Sequence, residues 1–420
     1  MHVSGYTCLS CGETQPASFQ GFVCAKCGGN LDVRYDYKEA ASTGFPNERQ
    51  DLFRYSALLP VTDLRLATPL RVGMTPLYRA DRLGATIGLK NLWLKDDGLN
   101  PSASFKDRAS AVALVVARER GAKVIAGATT GNAGSSMACL AASVAMPCVI
   151  FVPEKAPPAK IAQLLVFGAK VLAVRGNYDQ AFDLCTEVCK QHGWFNRNTG
   201  SNPFTREGKK TCSFEVWEQL GRKVPHWIVV CTGDGNIISG IWKGFRDLKA
   251  MGLITTMPRL LCAQAETSAA ISQTVRRIRK GHAPCTWGDV EVEHVKATTL
   301  ADSISVDIPR DGLAAVRAVI ESDGDVVTVT DQEILQAIPD IARGAGVFAE
   351  PAAATGWACT RKAASAGLIR PDDRVVCLIS GNGLKDVGSA RKSVGEPVVI
   401  DANMGAAEKA LSDLTLTSPT

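Results

Sequence analysis

The chain has 420 residues, 46% hydrophobic and 21% charged, an ordinary globular composition with room for two or three domains. Its net charge of +5 is small for this length and gives no reason to expect nucleic acid or a membrane surface as a partner. No apolar run reaches the length of a membrane span, and the opening MHVSGYTC lacks the apolar core of a signal peptide, so a cytoplasmic protein is expected.

The first element is a pair of C-x-x-C-G turns. Cys8 and Cys11 form one, Cys24 and Cys27 the other, with twelve residues between them. Each turn lets two thiolates converge, and Gly12 and Gly28 permit its tight backbone. Four thiolates so spaced predict a tetrahedral structural zinc site in a ribbon-like module over residues 1–35, the alternative being a ribbon without metal. A redox C-x-x-C would need one pair opening an amphipathic helix, and neither pair does. The other ten cysteines (Cys139, Cys148, Cys185, Cys189, Cys212, Cys231, Cys262, Cys285, Cys359, Cys377) lie in apolar surroundings and are expected to be packing.

Residues 36–80 read as a connector leading into a large domain, its helical fragments broken by Gly, Pro and Asn. Beyond them, short apolar runs predict buried strands: NLWLK (91–95), KVIAGA (123–128), PCVIFV (147–152), KVLAVR (170–175), WIVVC (227–231), RLLCAQA (259–265) and RVVCLIS (374–380). Amphipathic stretches such as KDRASAVALVVARERG and YDQAFDLCTEVCKQHG lie between them. The alternation predicts an α/β protein with open, mostly parallel twisted sheets flanked by helices. The expected division is a small α/β domain over 81–205, a large domain over 206–403 and a polar tail over 404–420. The five histidines (His2, His192, His226, His282, His294) fall outside every motif, and Trp93, Trp194 and Trp227 flank strands as core residues.

In such folds ligands bind beyond the carboxyl ends of strands, so strand-to-helix turns are where chemistry is sought. TGDGNIISG (232–240) follows WIVVC; Gly233, Gly235 and Asn236 can turn backbone amides inward at a helix start, which suits a phosphate or serves as plain connection. The Asp234 carboxylate would repel an anion, so its side chain is expected to point away. TTGNAGSS places Asn132 on a glycine-supported turn, as a ligand contact or a helix cap. In PSASFKDRAS, Lys106 stands at a loop-to-helix junction, where the ordinary expectation is a solvated lysine.

Taken together, SFKDR, TTGNAGS, TGDGNI and SGNGLKD, in that order, resemble the fold-type II pyridoxal-phosphate enzymes. NPSASFKDR, SNPFTREGKKT, GNGLKD and GVFAEPAAAT are most similar to the motifs of the threonine synthases within that family, and the resemblance runs from about 70 to 390. It implies pyridoxal 5'-phosphate held by Lys106 as a Schiff base, with Phe105 flanking the ring and Asn132 on its phenolic oxygen. The backbone of Thr232, Gly233, Asp234, Gly235 and Asn236 would hold the cofactor's phosphate, and Ser380 would face the pyridine nitrogen. The implied reaction eliminates the γ-phosphate of O-phospho-L-homoserine and adds water at the β-carbon to give L-threonine, Lys106 shuttling the protons, in a homodimer. Three positions depart from the pattern: Ala133 replaces a threonine, Thr205 an arginine and Lys209 a glutamine. Thr129, Asn202, Arg206 and Lys209 are the candidates to rebuild the substrate-anion site. The alternatives are a threonine or serine ammonia-lyase, a β-replacement enzyme acting on O-phosphoserine, or a scaffold without activity.

Overall fold

The computed structural model describes residues 2–129, 131–156, 158–281 and 286–413. The chain opens with a three-stranded antiparallel sheet in which β1 (Val3–Cys8) pairs with β2 (Thr14–Gln15) and β3 (Leu31–Tyr35). Along β3, Leu31, Val33 and Tyr35 face inward, Asp32 is half-buried and Arg34 is exposed, the period of two expected of a strand with one buried face.

Two strands, β4 (Leu77–Arg79) and β5 (Asn91–Asp96), then begin a larger sheet. The chain leaves it to build a parallel sheet from β6 (Ile125–Ala128), β7 (Cys148–Pro153), β8 (Lys170–Val174) and β9 (Phe195–Asn196), in the order β8-β7-β6-β9. It returns with β10 (Trp227–Cys231), β11 (Arg259–Ala265), β12 (Asp325–Val329) and β13 (Arg374–Ile379), completing the order β12-β11-β10-β13-β5-β4. Every neighbouring pair in this sheet is parallel except β4 with β5. WIVVC of β10 is buried along its whole length, which is why it reads as a continuous apolar run.

The strands expected over 91–380 are all present. The grouping of residues from 81 onward with the small domain is corrected, because β5 pairs with β13 through six residues in register and so belongs to the larger sheet. Within the expected polar tail, Met404–Asp413 forms a helix, while residues 414–420 lie outside the described residues. Nine of the ten scattered cysteines are free and buried, and Cys285 lies outside the described residues. No helix among the described residues is long and apolar enough to cross a membrane.

Candidate active site

Lys106 is the first residue of the helix Lys106–Glu119, which leaves the loop after β5. Two contacts tie that loop to the loop after the neighbouring β13. The Phe105 amide donates to the Ser380 carbonyl at 2.8 Å, and the Asn382 amide donates to the Ala103 carbonyl at 3.1 Å. Asp107 closes the same loop on its other side, accepting from the amide of Ser102 at 2.6 Å and from its hydroxyl at 2.5 Å. Two residues after Lys106, the buried Arg108 bridges Asp97 (Nε, 2.5 Å) and Glu215 (Nη1, 2.5 Å), and Lys95 reaches Glu215 at 2.6 Å. Desolvation pushes the Glu215 carboxyl up, but Arg108 and Lys95 outweigh it and hold the pKa down at about 2. The start of the helix is thus pinned from three sides.

Lys106 lines a cleft at the carboxyl ends of β10, β13 and β6. Asn132, Thr199, Lys209, Cys231, Thr232 to Ile237, Ser303, Ile304, Glu350, Ala352 and Ser380 complete its wall. The Gly233, Asp234 and Gly235 amides have no protein partner among the described residues. They precede the positive end of the helix Asn236–Ala250. A Cβ on Gly233 would lie 2.7 Å from Ile304 Cα, and Gly235 has φ +93°, so neither position accepts another residue without strain. The Asp234 carboxylate accepts from the Arg310 amide at 2.6 Å. Unpartnered amides at a helix start, a cleft lysine and the neutral Ser380 hydroxyl fit a phosphate-bearing, lysine-linked cofactor.

The cleft wall carries both signs, Lys106 and Lys209 with Asp234 and Glu350, but its lysines form no ion pair among the described residues. Lys209 is fully buried, and its ammonium donates to Asn236 Oδ1 at 2.6 Å with no carboxylate in ion-pair range among the described residues. Arg197, 2% exposed, donates to Ser110 and to Thr199 (2.9 Å) and likewise has no carboxylate partner there. Burial pulls all three cations below their ordinary range: Lys106, Lys209 well below, and Arg197 to about 10; Arg197 further depresses both lysines. Buried cations left without acids mark a place prepared for anions.

Several assignments read from the sequence change. Phe105 is fully buried, lies under the Arg108 guanidinium and is not part of the cleft wall. Arg206 is paired with Asp311 and with Asp32 (3.5 Å) and is not part of the cleft wall. The Asn202 amide is used by Asn196 O and Phe204 N, and Thr129 Oγ1 by the Gly131 amide. Of the four substrate-anion candidates, only Lys209 lines the cleft. Cys231, expected to be packing, lies in the wall and its thiol donates to Ser380 Oγ at 3.1 Å. Glu350 was not singled out as a site residue, although its EPAAA motif was visible. It is buried and accepts from Asn132 Nδ2 at 3.0 Å through both oxygens, and desolvation raises its pKa. Arg197 was missed because nothing in NRNTG distinguishes a buried arginine from a surface one.

Remote from the cleft, the sulfurs of Cys8, Cys11, Cys24 and Cys27 lie within 4.8 Å of one another. Their closest approaches of 3.4, 3.5 and 3.8 Å match the edge of about 3.8 Å for a tetrahedron with arms of about 2.3 Å. The turns repeat each other: Gly12 N to Cys8 O at 3.1 Å, Gly28 N to Cys24 O at 2.9 Å, with φ +74° and +73° at the glycines.

A family model described as "Pyridoxal-phosphate dependent enzyme" matches residues 69–381. The threonine synthase of Methanosarcina acetivorans is 38% identical over 407 residues, covering 96% of this chain and 98% of the relative. That of Methanocaldococcus jannaschii is 35% identical over 412 residues, 97% and 99% respectively. Among solved structures, threonine deaminase isoform 2 from Solanum lycopersicum superposes with a TM-score of 0.66 at 20% identity, covering 84% of this chain and 94% of its own, a likeness of fold. Since the matched span is most of the sequence and relatives of nearly equal length share more than a third of its residues, the chain belongs to the pyridoxal-phosphate dependent enzymes, on their threonine synthase branch.

Proposed function

We propose that the protein is a threonine synthase, converting O-phospho-L-homoserine and water to L-threonine and phosphate. The observation that carries this reading is the gathering of three basic side chains at one cleft, Lys106 and Lys209 in its wall and the buried Arg197 reaching it through Thr199, none of them in an ion pair among the described residues. An ammonia-lyase acting on threonine or serine brings only the cofactor's phosphate to that charge, whereas a phosphorylated substrate brings a second. The near-full-length likeness to threonine synthases supports the same choice.

Pyridoxal phosphate, when bound, is linked through its aldehyde carbon to an amine and draws electrons from the adjoining carbon, which acidifies that carbon's proton. Lys106 would hold the cofactor until substrate takes its place, then carry protons at the α-, β- and γ-carbons, its lowered pKa leaving more free amine near neutrality. The free amides of residues 233–235 would take the cofactor's phosphate, and Asn132 would orient its ring. Ser380, a hydroxyl without charge, would face the ring nitrogen and not hold a proton there as a carboxylate would. Lys209 and Arg197, through Thr199, would stabilise the departing phosphate's charge. The four sulfurs would hold one structural zinc ion, and the working particle would be a cytoplasmic homodimer.

The test is direct. The purified protein should carry a visible absorption band that Lys106→Ala abolishes, and should release phosphate from O-phospho-L-homoserine with L-threonine formed in equal amount. Ammonia and 2-oxobutyrate from L-threonine, with no phosphate release from the phosphorylated substrate, would establish the lyase instead.

A further inference from the structure

The N-terminal module does not merely sit beside the catalytic body; one of its side chains reaches the wall that supports the phosphate loop. Asn30, three residues after Cys27, has its backbone held by both cysteine turns. Its carbonyl accepts from the Leu9 amide at 2.9 Å, and it forms a bridge with Val23. Its side-chain amide points the other way, donating to the Arg310 carbonyl at 2.8 Å and to Asp311 Oδ1 at 3.0 Å. Those two residues are the clamp on the loop Gly233–Asn236. The Arg310 and Asp311 amides donate to the Asp234 carboxylate and carbonyl at 2.6 and 3.0 Å. A Cβ on Gly235 would stand 2.8 Å from the Asp311 carbonyl oxygen. The other oxygen of Asp311 accepts from Asn236 Nδ2 at 2.8 Å and Ser239 Oγ at 2.7 Å, both in the first turn of the helix behind the loop. Asn236 in turn orients Lys209. Asp311 is 1% exposed and Arg206 neutralises it; with the buried Asn236, Ser239 and Lys209 it forms a desolvated inner end of the chain that cannot turn to water when a partner is lost, while Asn30 is its half-buried outer end.

We propose that the four-cysteine module holds the phosphate cradle in shape through Asn30 and Asp311, which makes Asn30 a positioning residue for the cofactor's phosphate. It acts through Asp311 and touches no ligand. The inference rests on the assignment of residues 233–236 as that cradle.

The experiment titrates pyridoxal 5'-phosphate and, separately, pyridoxal into cofactor-free protein, following the absorbance of the bound form. Asn30→Ala should weaken pyridoxal 5'-phosphate by about tenfold, the effect of one lost hydrogen bond to a charged group, and leave pyridoxal unchanged. Asn30→Asp, which keeps the shape but sets a carboxylate against Asp311, should weaken it further. Arg317→Ala is the control, since Arg317 reaches the module at the Leu9 carbonyl (3.4 Å) without bonding to the cradle, and it should leave both affinities unchanged. Equal affinities in the parent and both Asn30 variants would overturn the proposal. So would equal losses for the two compounds, or a loss in Arg317→Ala matching that in Asn30→Ala, since either would mean general loosening. A parent protein that binds neither compound would instead fault the cradle assignment itself.

Discussion

At Lys209 a single ammonium is fully buried against an amide oxygen 2.6 Å away. Burial, then Lys106 and Arg197, push its pKa well below the ordinary lysine value, so it loses its proton at lower pH when folded than when unfolded. Between that lowered value and about 10.4 the unfolded chain binds the extra proton, and the stability of the cofactor-free protein must rise with pH across that window. Lys209→Met removes both the buried charge and that slope. It should raise the thermal midpoint of the cofactor-free protein by about 3 °C near neutral pH, an advantage that shrinks as pH approaches about 10. The same variant should weaken pyridoxal phosphate by about tenfold or more, which titration checks. A midpoint that falls at neutral pH would show that Lys209 is satisfied by its surroundings.

Among the elements, the Lys106 helix and the helix Phe204–Gln219 meet at Gly208, where an added Cβ would lie 1.9 Å from the Arg108 carbonyl oxygen. The contact is with backbone, so no side chain can move aside. Gly208→Ala should destabilise the fold by about 3 kcal/mol by denaturant unfolding, and should shift the absorption band of the lysine-bound cofactor, because the helix start is what moves. Normal stability with an unchanged band would show that the helices part without disturbing Lys106. The glycine turn at 233–235 and the cysteine turns were legible in the sequence because each is local: the backbone conformation, the residues that permit it and the helix or sulfur that follows are contiguous. Phe105, Asn202 and Arg206 were not, since their roles depend on which distant segment faces them. Arg206 meets Asp32 and Asp311, one on either side of it in the chain and each more than a hundred residues away.

For the molecule as a whole, the N-terminal module shares one hydrophobic core with the catalytic body, its Val3, Tyr6, Leu31 and Val33 belonging to the cluster that holds Phe105 and Phe204. Tyr35 donates to Glu207 at 2.6 Å and Tyr37 to Asp247 at 2.8 Å, and these carboxylates also bind Lys210, at 2.5 and 2.6 Å. If four thiolates hold zinc, metal analysis should find about one equivalent per chain, and Cys27→Ser should lose it. With its closing ion gone the module frays, and the thermal midpoint should fall by about 5 °C or more, with early exposure of the buried tyrosines seen by fluorescence. Full stability and no bound metal would make the module a ribbon held by packing alone. The sequence by itself determined the alternation of strands and helices, the position of Lys106 at a helix start, the glycine cradle and the sulfur quartet, because periodicity, turn chemistry and ligand spacing are written within a few residues. Only the tertiary structure decided that β5 joins the larger sheet, that Arg197 and Lys209 stand without acids beside Lys106, and that Asn30 reaches the cradle's support. Pairing between strands and neutralisation of buried charge depend on what packs opposite, and that is settled when the whole chain closes around its core.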